Sequence, residues 1–324
     1  LSILFFAPFA IFALKISRSR CRFMRCYYHR DYFFPLPGSH PFPMDKFWRA
    51  EAMIRAAAPA ALRILDAEPA PFADLLRVHT AGYLDKIRRA DLGSVEALKL
   101  GLPAGEPLLE RSRLETGSTL LATEAALADG LAANLAGGTH HAHADRGLGY
   151  CVLNDVAVAI RAVHARRPEL RILVVDTDAH HGDGTAALFA GDPRVFTYSI
   201  HVGRNYPSHK PPGSLDVPLA RWARGADYLE QLEATLPPAL DEHRPGLAFW
   251  ISGADPHEHD RFGQLRLTDA DMAARDSFVL AQLARRRGIP VVVLYGGGYN
   301  RDREHTARLH ARAVLAAAEA AQGA

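Results

Sequence analysis

The stretch Ile172-Leu173-Val174-Val175-Asp176-Thr177-Asp178-Ala179-His180-His181-Gly182-Asp183-Gly184 decides how this chain is read. Four branched apolar residues in a row fit a short strand buried on both faces, and the carboxylates, imidazoles and glycines that follow at once mark the turn at its end. The same order recurs three times. Residues 195–200 lead into His201, residues 247–251 into Ser252-Gly253-Ala254-Asp255, and residues 290–295 into Gly296-Gly297-Gly298. Amphipathic stretches separate these runs, which is the alternation of an α/β protein whose parallel sheet is covered by helices. In such sheets the ligand crevice lies just beyond the carboxyl ends of the strands, so the polar residues after these runs converge on one edge.

If the backbone stays extended past Val175, alternation sets Asp176, Asp178 and His180 on one side, two residues apart. Taken singly, an Asp after a strand is a turn or cap residue, with Asp183 or Thr185 capping residues 186–190. Taken together, packed carboxylates and imidazoles need a cation or hydrogen bonds to hold them. Carboxylate oxygen and imidazole nitrogen both suit Zn²⁺, and a catalytic zinc takes about three protein ligands and leaves one position open. Asp255, at another strand end, is the natural third ligand, because Gly253 and Ala254 let the backbone approach closely.

Upstream, residues 118–135 read as a helix that Ser118 caps and that Gly137 and Gly138 end. His140-His141-Ala142-His143 follows. Adjacent histidines in a loop are by themselves ordinary solvent-exposed residues. Beside a metal nearly neutralised by two carboxylates they gain a use, because a separate base that is neutral near pH 7 then becomes valuable. Each imidazole needs an acceptor to fix its tautomer, and Asp176 and Asp183 are the carboxylates left once Asp178 is a ligand. In Tyr295-Gly296-Gly297-Gly298-Tyr299-Asn300 the glycines make a tight turn without the Lys-Ser/Thr ending of a phosphate loop. Tyr299 is equally a packing residue or a phenol placed to hydrogen-bond a forming oxyanion.

The 324 residues carry 38 basic and 36 acidic side chains, a net charge of +2, and 48% are hydrophobic. That composition excludes disorder and fibre, and it lacks the basic excess of a direct nucleic-acid binder. Three cysteines, Cys21, Cys26 and Cys151, build neither a disulfide framework nor a zinc ribbon, which points to a reducing, cytoplasmic setting. Residues 1–14 are nearly all apolar but fall short of the roughly 20 needed to span a bilayer. Lys15, Arg18, Arg20, Arg22 and Arg25 follow this run, the reverse of a secretory signal. Residues 1–26 therefore read as an N-terminal extension, either a misplaced start or a membrane-touching anchor. Residues 27–324 read as the catalytic domain, entered through the aromatic, Pro-rich segment 27–43 and a helix over 44–54.

These motifs together resemble the zinc-dependent histone deacetylase family, including the acetylpolyamine and acetoin-utilisation deacetylases, from about Tyr27 to the C-terminus. The parts stand in family order: His140-His141, Gly149-Tyr150-Cys151, Asp176-x-Asp178-x-His180, Gly253-Ala254-Asp255 with Asp260-Arg261-Phe262-Gly263, and Gly297-Gly298-Tyr299. The entrance His40-Pro41-Phe42-Pro43-Met44-Asp45-Lys46 looks most like the class IV, histone-deacetylase-11-like branch and its bacterial relatives. The resemblance implies a three-layer α/β/α domain of the arginase/deacetylase type with a mostly parallel sheet. It implies one zinc per chain on Asp178, His180 and Asp255, His141 with Asp183 as general base and then acid, His140 with Asp176 tuning the field, and Tyr299 stabilising the oxyanion. Substrate would lie against Gly149, Tyr150, Tyr206, Phe262 and Gly297. A structural potassium ion is implied near Asp176, Asp178, His180, Ser199 and Ile200.

Tyr150 and Tyr206 stand where many members have Phe, and Pro256-His257-Glu258 replaces the usual small residues after Asp255, so His257 or Glu258 at the rim would favour a polar substrate. The reaction implied is hydrolysis of an N-acyl bond on a lysine side chain of a protein or peptide, or on an acylated small amine. Two rivals stand beside it. A two-metal ureohydrolase on the same fold needs more carboxylate ligands at one cation, and a silent acyl-lysine binding module would have no use for both histidines and Tyr299.

Overall fold

Each of the four apolar runs forms a strand, and the computed structural model, which describes residues 23–57 and 60–322, adds four more. In chain order they are β1 (Met24–Tyr28), β2 (Leu62–Asp66), β3 (Leu131–Asn134), β4 (Ile172–Asp176), β5 (Val195–Val202), β6 (Leu215–Leu219), β7 (Leu247–Ile251) and β8 (Val291–Leu294). They form one sheet in the order β2-β1-β3-β8-β7-β4-β5-β6, and every neighbouring pair is parallel.

Strand alternation divides the core into two layers. Ile172, Val174, Phe249, Val292 and Leu294 face the helix Asp155–His164 and the last turns of the helix Glu106–Asp129. Leu173, Val175, Trp250, Val291 and Val293 face the opposite way, toward the helices Lys46–Ala57, Gly225–His243, Asp269–Leu280 and Arg303–Gln322. Helices on both faces make the three-layer α/β/α architecture. They also explain why β4, β7 and β8 are apolar at every position up to their final turn, since neither face meets water.

The chain passes from β4 outward to β5 and β6, then returns across β4 to place β7 and β8 on its other side. The strand order thus reverses between β4 and β7, and the carboxyl ends at that switch point carry Asp176–His180 and Ser252–Asp255. A crevice opens there because the connections leave in opposite directions.

Two local expectations are corrected. The helix expected over 118–135 spans Glu106–Asp129, Gly130 ends it at φ +99°, and Leu131–Asn134 is the buried strand β3. Its Leu-Ala-Ala-Asn sequence has the composition of a helix end, and pairing with β1 and β8 is what makes it a strand. Ser118 is no cap: its hydroxyl lies mid-helix, donating to the Leu114 carbonyl at 3.1 Å. Second, the domain boundary at 26/27 cuts through β1, so Met24, Arg25 and Cys26 belong to the sheet between β2 and β3. The strands β1, β2, β3 and β6 are too short or too polar to announce themselves by pattern. The anchor reading of residues 1–14 lies outside the described residues, among which no helix is long and apolar enough to cross a membrane.

Candidate metal centre and acid–base pair

At the end of β4 the backbone leaves the sheet and folds its own carboxylates around itself. Asp176 Oδ1 accepts the Asp178 N–H at 3.1 Å, and Asp178 Oδ1 accepts the His180 N–H at 2.9 Å. From the end of β7, Asp255 Oδ1 accepts the Ala179 N–H at 2.8 Å, which ties the two strand ends together. One ligand atom from each of Asp178, His180 and Asp255 then lies within 4.8 Å of the others, and all three residues are buried. Glycine is needed in two places. A Cβ on Gly253, at φ +52°, would sit 2.7 Å from the Asp178 Cα, and one on Gly297 would sit 2.3 Å from Asp255 Oδ2. The expectation that Gly253 permits close approach of the two strand ends is met.

The donor set fits a divalent cation. His180 Nδ1 lies 3.1 Å from Asp178 Oδ1 and 2.9 Å from Asp255 Oδ2, so a protonated imidazole bridges the two carboxylates. Burial disfavours that charge, yet Asp255 and Asp178 hold the His180 pKa well above its ordinary 6.5. Burial and the neighbouring Asp178 raise Asp255 to about 7 despite His180. An acid and an imidazole that hold protons beside the ionised Asp178 are a site whose charge a metal completes.

Beside this group stand two histidine–carboxylate pairs. His140 Nδ1 lies 2.6 Å from Asp176 Oδ2, and His141 Nδ1 lies 2.6 Å from Asp183 Oδ1. The Nε2 atoms of the two rings are 3.2 Å apart, so both do not carry a proton at once. Although burial opposes it, Asp176 and Asp178 raise His140 to about 9, while burial and the charge on His140 lower His141 to about 4 against the pull of Asp183. His140 is therefore the charged member and His141 the neutral one. Asp183 opens the helix Asp183–Phe189 and also shares Oδ2 with His143 Nε2 at 3.0 Å.

Tyr299 reaches the same place from β8. Asp260 Oδ2 accepts its N–H at 2.6 Å, the Arg261 Nε donates to its carbonyl at 2.8 Å, and its ring packs against Phe262, Tyr150 and Phe42 with centroids 5.2, 5.8 and 6.2 Å away. Burial and the carboxylates of Asp178 and Asp255 keep its pKa well above 10, so it stays a phenol and a donor.

A cavity of about 390 Å³ opens from these groups to the surface, with His141, His180 and Tyr299 at its base and Gly149, Tyr150, Tyr206, Phe262, Leu98, Asn205 and Gln264 in its wall. Four of the five residues expected to contact substrate thus line one channel. Gly297 does not: its N–H donates to Asp178 Oδ2 at 2.7 Å, and it borders a separate inner cavity of about 30 Å³. His257 and Glu258 are also corrected, since neither reaches the channel. The loop after Asp255 turns inward, and His257 is buried against His259 and His305. The residues expected to hold potassium are neighbours, with Asp176 paired in register to Ser199 across β4 and β5.

Three supporting residues have contacts that the sequence did not announce. Arg275 is buried in an ion pair with Asp276 at 2.7 Å, and its guanidinium donates to the Gly253 carbonyl at 2.8 Å and the Thr177 carbonyl at 3.4 Å, clamping both ligand loops. Lys46 is buried and donates to the Gly296 carbonyl at 2.8 Å; burial lowers it to about 8 although Asp255 and Asp178 pull it up. Asp260 accepts the N–H groups of Phe262, Gly263 and Tyr299. Lys46 and Asp260 stand in the motifs quoted for the resemblance, whereas Arg275 stands in none.

Comparison with known proteins agrees with this geometry. The sequence pattern of the histone deacetylase domain matches residues 40–317. The chain is 37% identical over 276 residues to an uncharacterised protein of Picosynechococcus sp. strain PCC 7002, covering 85% of this chain and 92% of that one. It is 31% identical to a histone deacetylase-like amidohydrolase of Pseudomonas aeruginosa, over 74% of this chain and 67% of the relative. With the acetoin utilization protein AcuC of Staphylococcus aureus it shares 29% identity, over 81% of this chain and 73% of that one. A crystal structure of a histone deacetylase homologue complexed with SAHA superposes with a TM-score of 0.76 at 24% identity, covering 91% of this chain and 84% of the other. The ureohydrolase rival is set aside, because among the described residues the centre gathers no further carboxylate ligand and the family is a different one. The chain belongs to the histone deacetylase family of amide-hydrolysing enzymes, a family that implies a bound metal.

Proposed function

We propose that the chain removes an acetyl group from the side-chain amine of lysine in a protein or peptide, with one zinc ion held by Asp178, His180 and Asp255. The observation that carries this reading is the meeting, at the base of one channel, of that donor set, the His141–Asp183 pair at 2.6 Å and the Tyr299 phenol. Zinc supplies Lewis acidity toward the attacking water and the amide carbonyl. His141 Nε2 takes the proton as water adds to the carbonyl carbon, and Asp183 stabilises the imidazolium at Nδ1. Tyr299 donates its O–H to the carbonyl oxygen as that atom becomes negative. When the C–N bond breaks, the proton on His141 passes to the departing nitrogen, leaving acetate and a free amine. His140, whose Nδ1 is on Asp176, has its Nε2 3.2 Å from His141 Nε2, so it is without its Nε2 proton whenever His141 carries one.

The channel also supports a choice among substrates. Tyr150, Tyr206 and Phe262 offer aromatic walls to a four-carbon aliphatic stem, and among its lining residues none is Asp or Glu while Lys99 is present. A polyamine would bring unpaired positive charge into that wall, whereas acyl-lysine is neutral along its stem. The inner cavity of about 30 Å³ favours a short acyl group over a long chain. A structural potassium ion between the ends of β4 and β5, and a cytoplasmic location consistent with the free thiols of Cys26 and Cys151, complete the proposal. The test is acetate release from acetyl-lysine peptides and acetylated polyamines by zinc-loaded protein, with and without chelator. Peptide turnover that chelator abolishes is expected; turnover unaffected by chelator, or confined to polyamines, would overturn it.

A further inference from the structure

Behind the loop that carries Tyr299, away from the channel, three imidazoles meet. His257 and His259 come from the loop after β7, and His305 from the first turn of the helix Arg303–Gln322. One ring nitrogen of each lies within 4.8 Å of the others, and the ring centroids of His257 are 4.5 Å from His305 and 5.1 Å from His259. Asp269, the first residue of the helix Asp269–Leu280, joins them: its Oδ1 accepts from His305 Nε2 at 2.8 Å and lies 3.5 Å from His257 Nε2. His257 and His305 are buried, while His259 and Asp269 are exposed, so the cluster has fixed inner donors and an outer side open to solvent.

We infer that His257, His259, His305 and Asp269 form a second divalent-metal site, distinct from the one at Asp178, His180 and Asp255. Three imidazole nitrogens and one carboxylate oxygen select Zn²⁺, Ni²⁺ or Cu²⁺ over the oxygen-seeking Mg²⁺ and Ca²⁺. Binding at Nε2 moves the remaining ring proton to Nδ1. For His305 this turns the Asn300 amide, whose Nδ2 lies 3.2 Å from Nδ1, so that its oxygen faces the ring, at the expense of the bond from the Asp302 N–H. For His257 it releases the 3.2 Å contact with the His259 N–H, so the 257–259 turn moves with the ion. The site joins two loops that flank the channel: Asp255 and Asp260 lie on one, and Asn300, next to Tyr299, on the other. An ion there staples these loops together.

The test counts metal. Metal-stripped full-length protein is titrated with Zn²⁺ against a chromophoric chelator, alongside Asp178→Ala, His259→Ala and the double variant. Two equivalents are expected for the parent chain, one for each single variant and none for the double. His259 is exposed, so its replacement leaves the fold in place, and Ni²⁺ is expected to raise the Tm of Asp178→Ala but not of the double variant. One equivalent in the parent, or two in His259→Ala, overturns the site. Loss of both equivalents in Asp178→Ala also overturns it, because both ions would then belong to the catalytic centre.

Discussion

Replacing Tyr299 by Phe removes a single O–H and leaves the rest of the site in place. The ring is held by Phe262, Tyr150 and Phe42, and the backbone by Asp260 at 2.6 Å and the Arg261 guanidinium at 2.8 Å, none of which involves the hydroxyl. Tyr299 is not among the residues that gather around a metal, so metal content is unaffected. What is lost is one preorganised donor to the developing oxyanion, a contribution of about 2.7–4 kcal/mol in comparable sites. Each 1.36 kcal/mol is about tenfold in rate, so kcat is expected to fall by about 10²–10³-fold. KM is expected to change little, because the hydrogen bond strengthens only as charge develops. The assay follows acetate release from an acetyl-lysine peptide across substrate concentration, with zinc measured on the same samples and Tm recorded. A kcat within about tenfold of the parent at equal zinc content would refute the oxyanion role and leave Tyr299 as a packing residue.

Asp183→Asn leaves His141 without the carboxylate that fixes its tautomer, so kcat is expected to drop by about 10²–10⁴-fold with metal retained, as read by single-turnover kinetics and metal analysis. Arg275→Met leaves the buried Asp276 carboxylate with only the more distant Arg312, at 3.6 Å, and frees the Thr177 and Gly253 carbonyls; a loss of about 3–5 kcal/mol in urea unfolding is expected, and a loss below 1 kcal/mol would show the clamp to be dispensable. The metal-stripped protein has a definite pH signature. His140 is raised from 6.5 to about 9, so its stabilisation is complete below pH 6.5 and is lost as pH climbs through 9; Asp255, raised to about 7, acts in the same direction. Its Tm is therefore expected to fall between pH 6.5 and 9, and a shallower fall in His140→Ala assigns the difference to that residue, the remainder belonging to Asp255 and His180. Trp250→Ala, in the middle of β7 with no exposed surface, is expected to cost about 3–5 kcal/mol by calorimetry without changing the ligand set.

The residues that gather at the candidate site were legible in the sequence because strand ends announce themselves. A run such as Ile172 to Val175 is apolar since both its faces are covered, and where the apolar demand stops abruptly at Asp176 something other than the core must account for the carboxylates. Both histidine pairs and the third ligand followed from the count of groups that needed partners. The local pattern of Leu131–Asn134 gave the wrong element, because four residues of helix-like composition become a strand only when β1 and β8 lie on either side. Which carboxylate serves which imidazole was implied by the family resemblance, and the structure has the same pairs, His140 on Asp176 and His141 on Asp183. Arg275 and the meeting of His257, His259 and His305 had no sequence signature, and the motif around Asp260 did not say which groups its carboxylate holds. Their partners lie up to 98 positions away along the chain, as Thr177 does from Arg275, and only the crossing back from β6 to β7 sets them side by side. Periodicity reports what each segment does with water, so the sequence determined the layers and the reactive inventory. Contacts between segments depend on strand order, and that was decided by the tertiary structure alone.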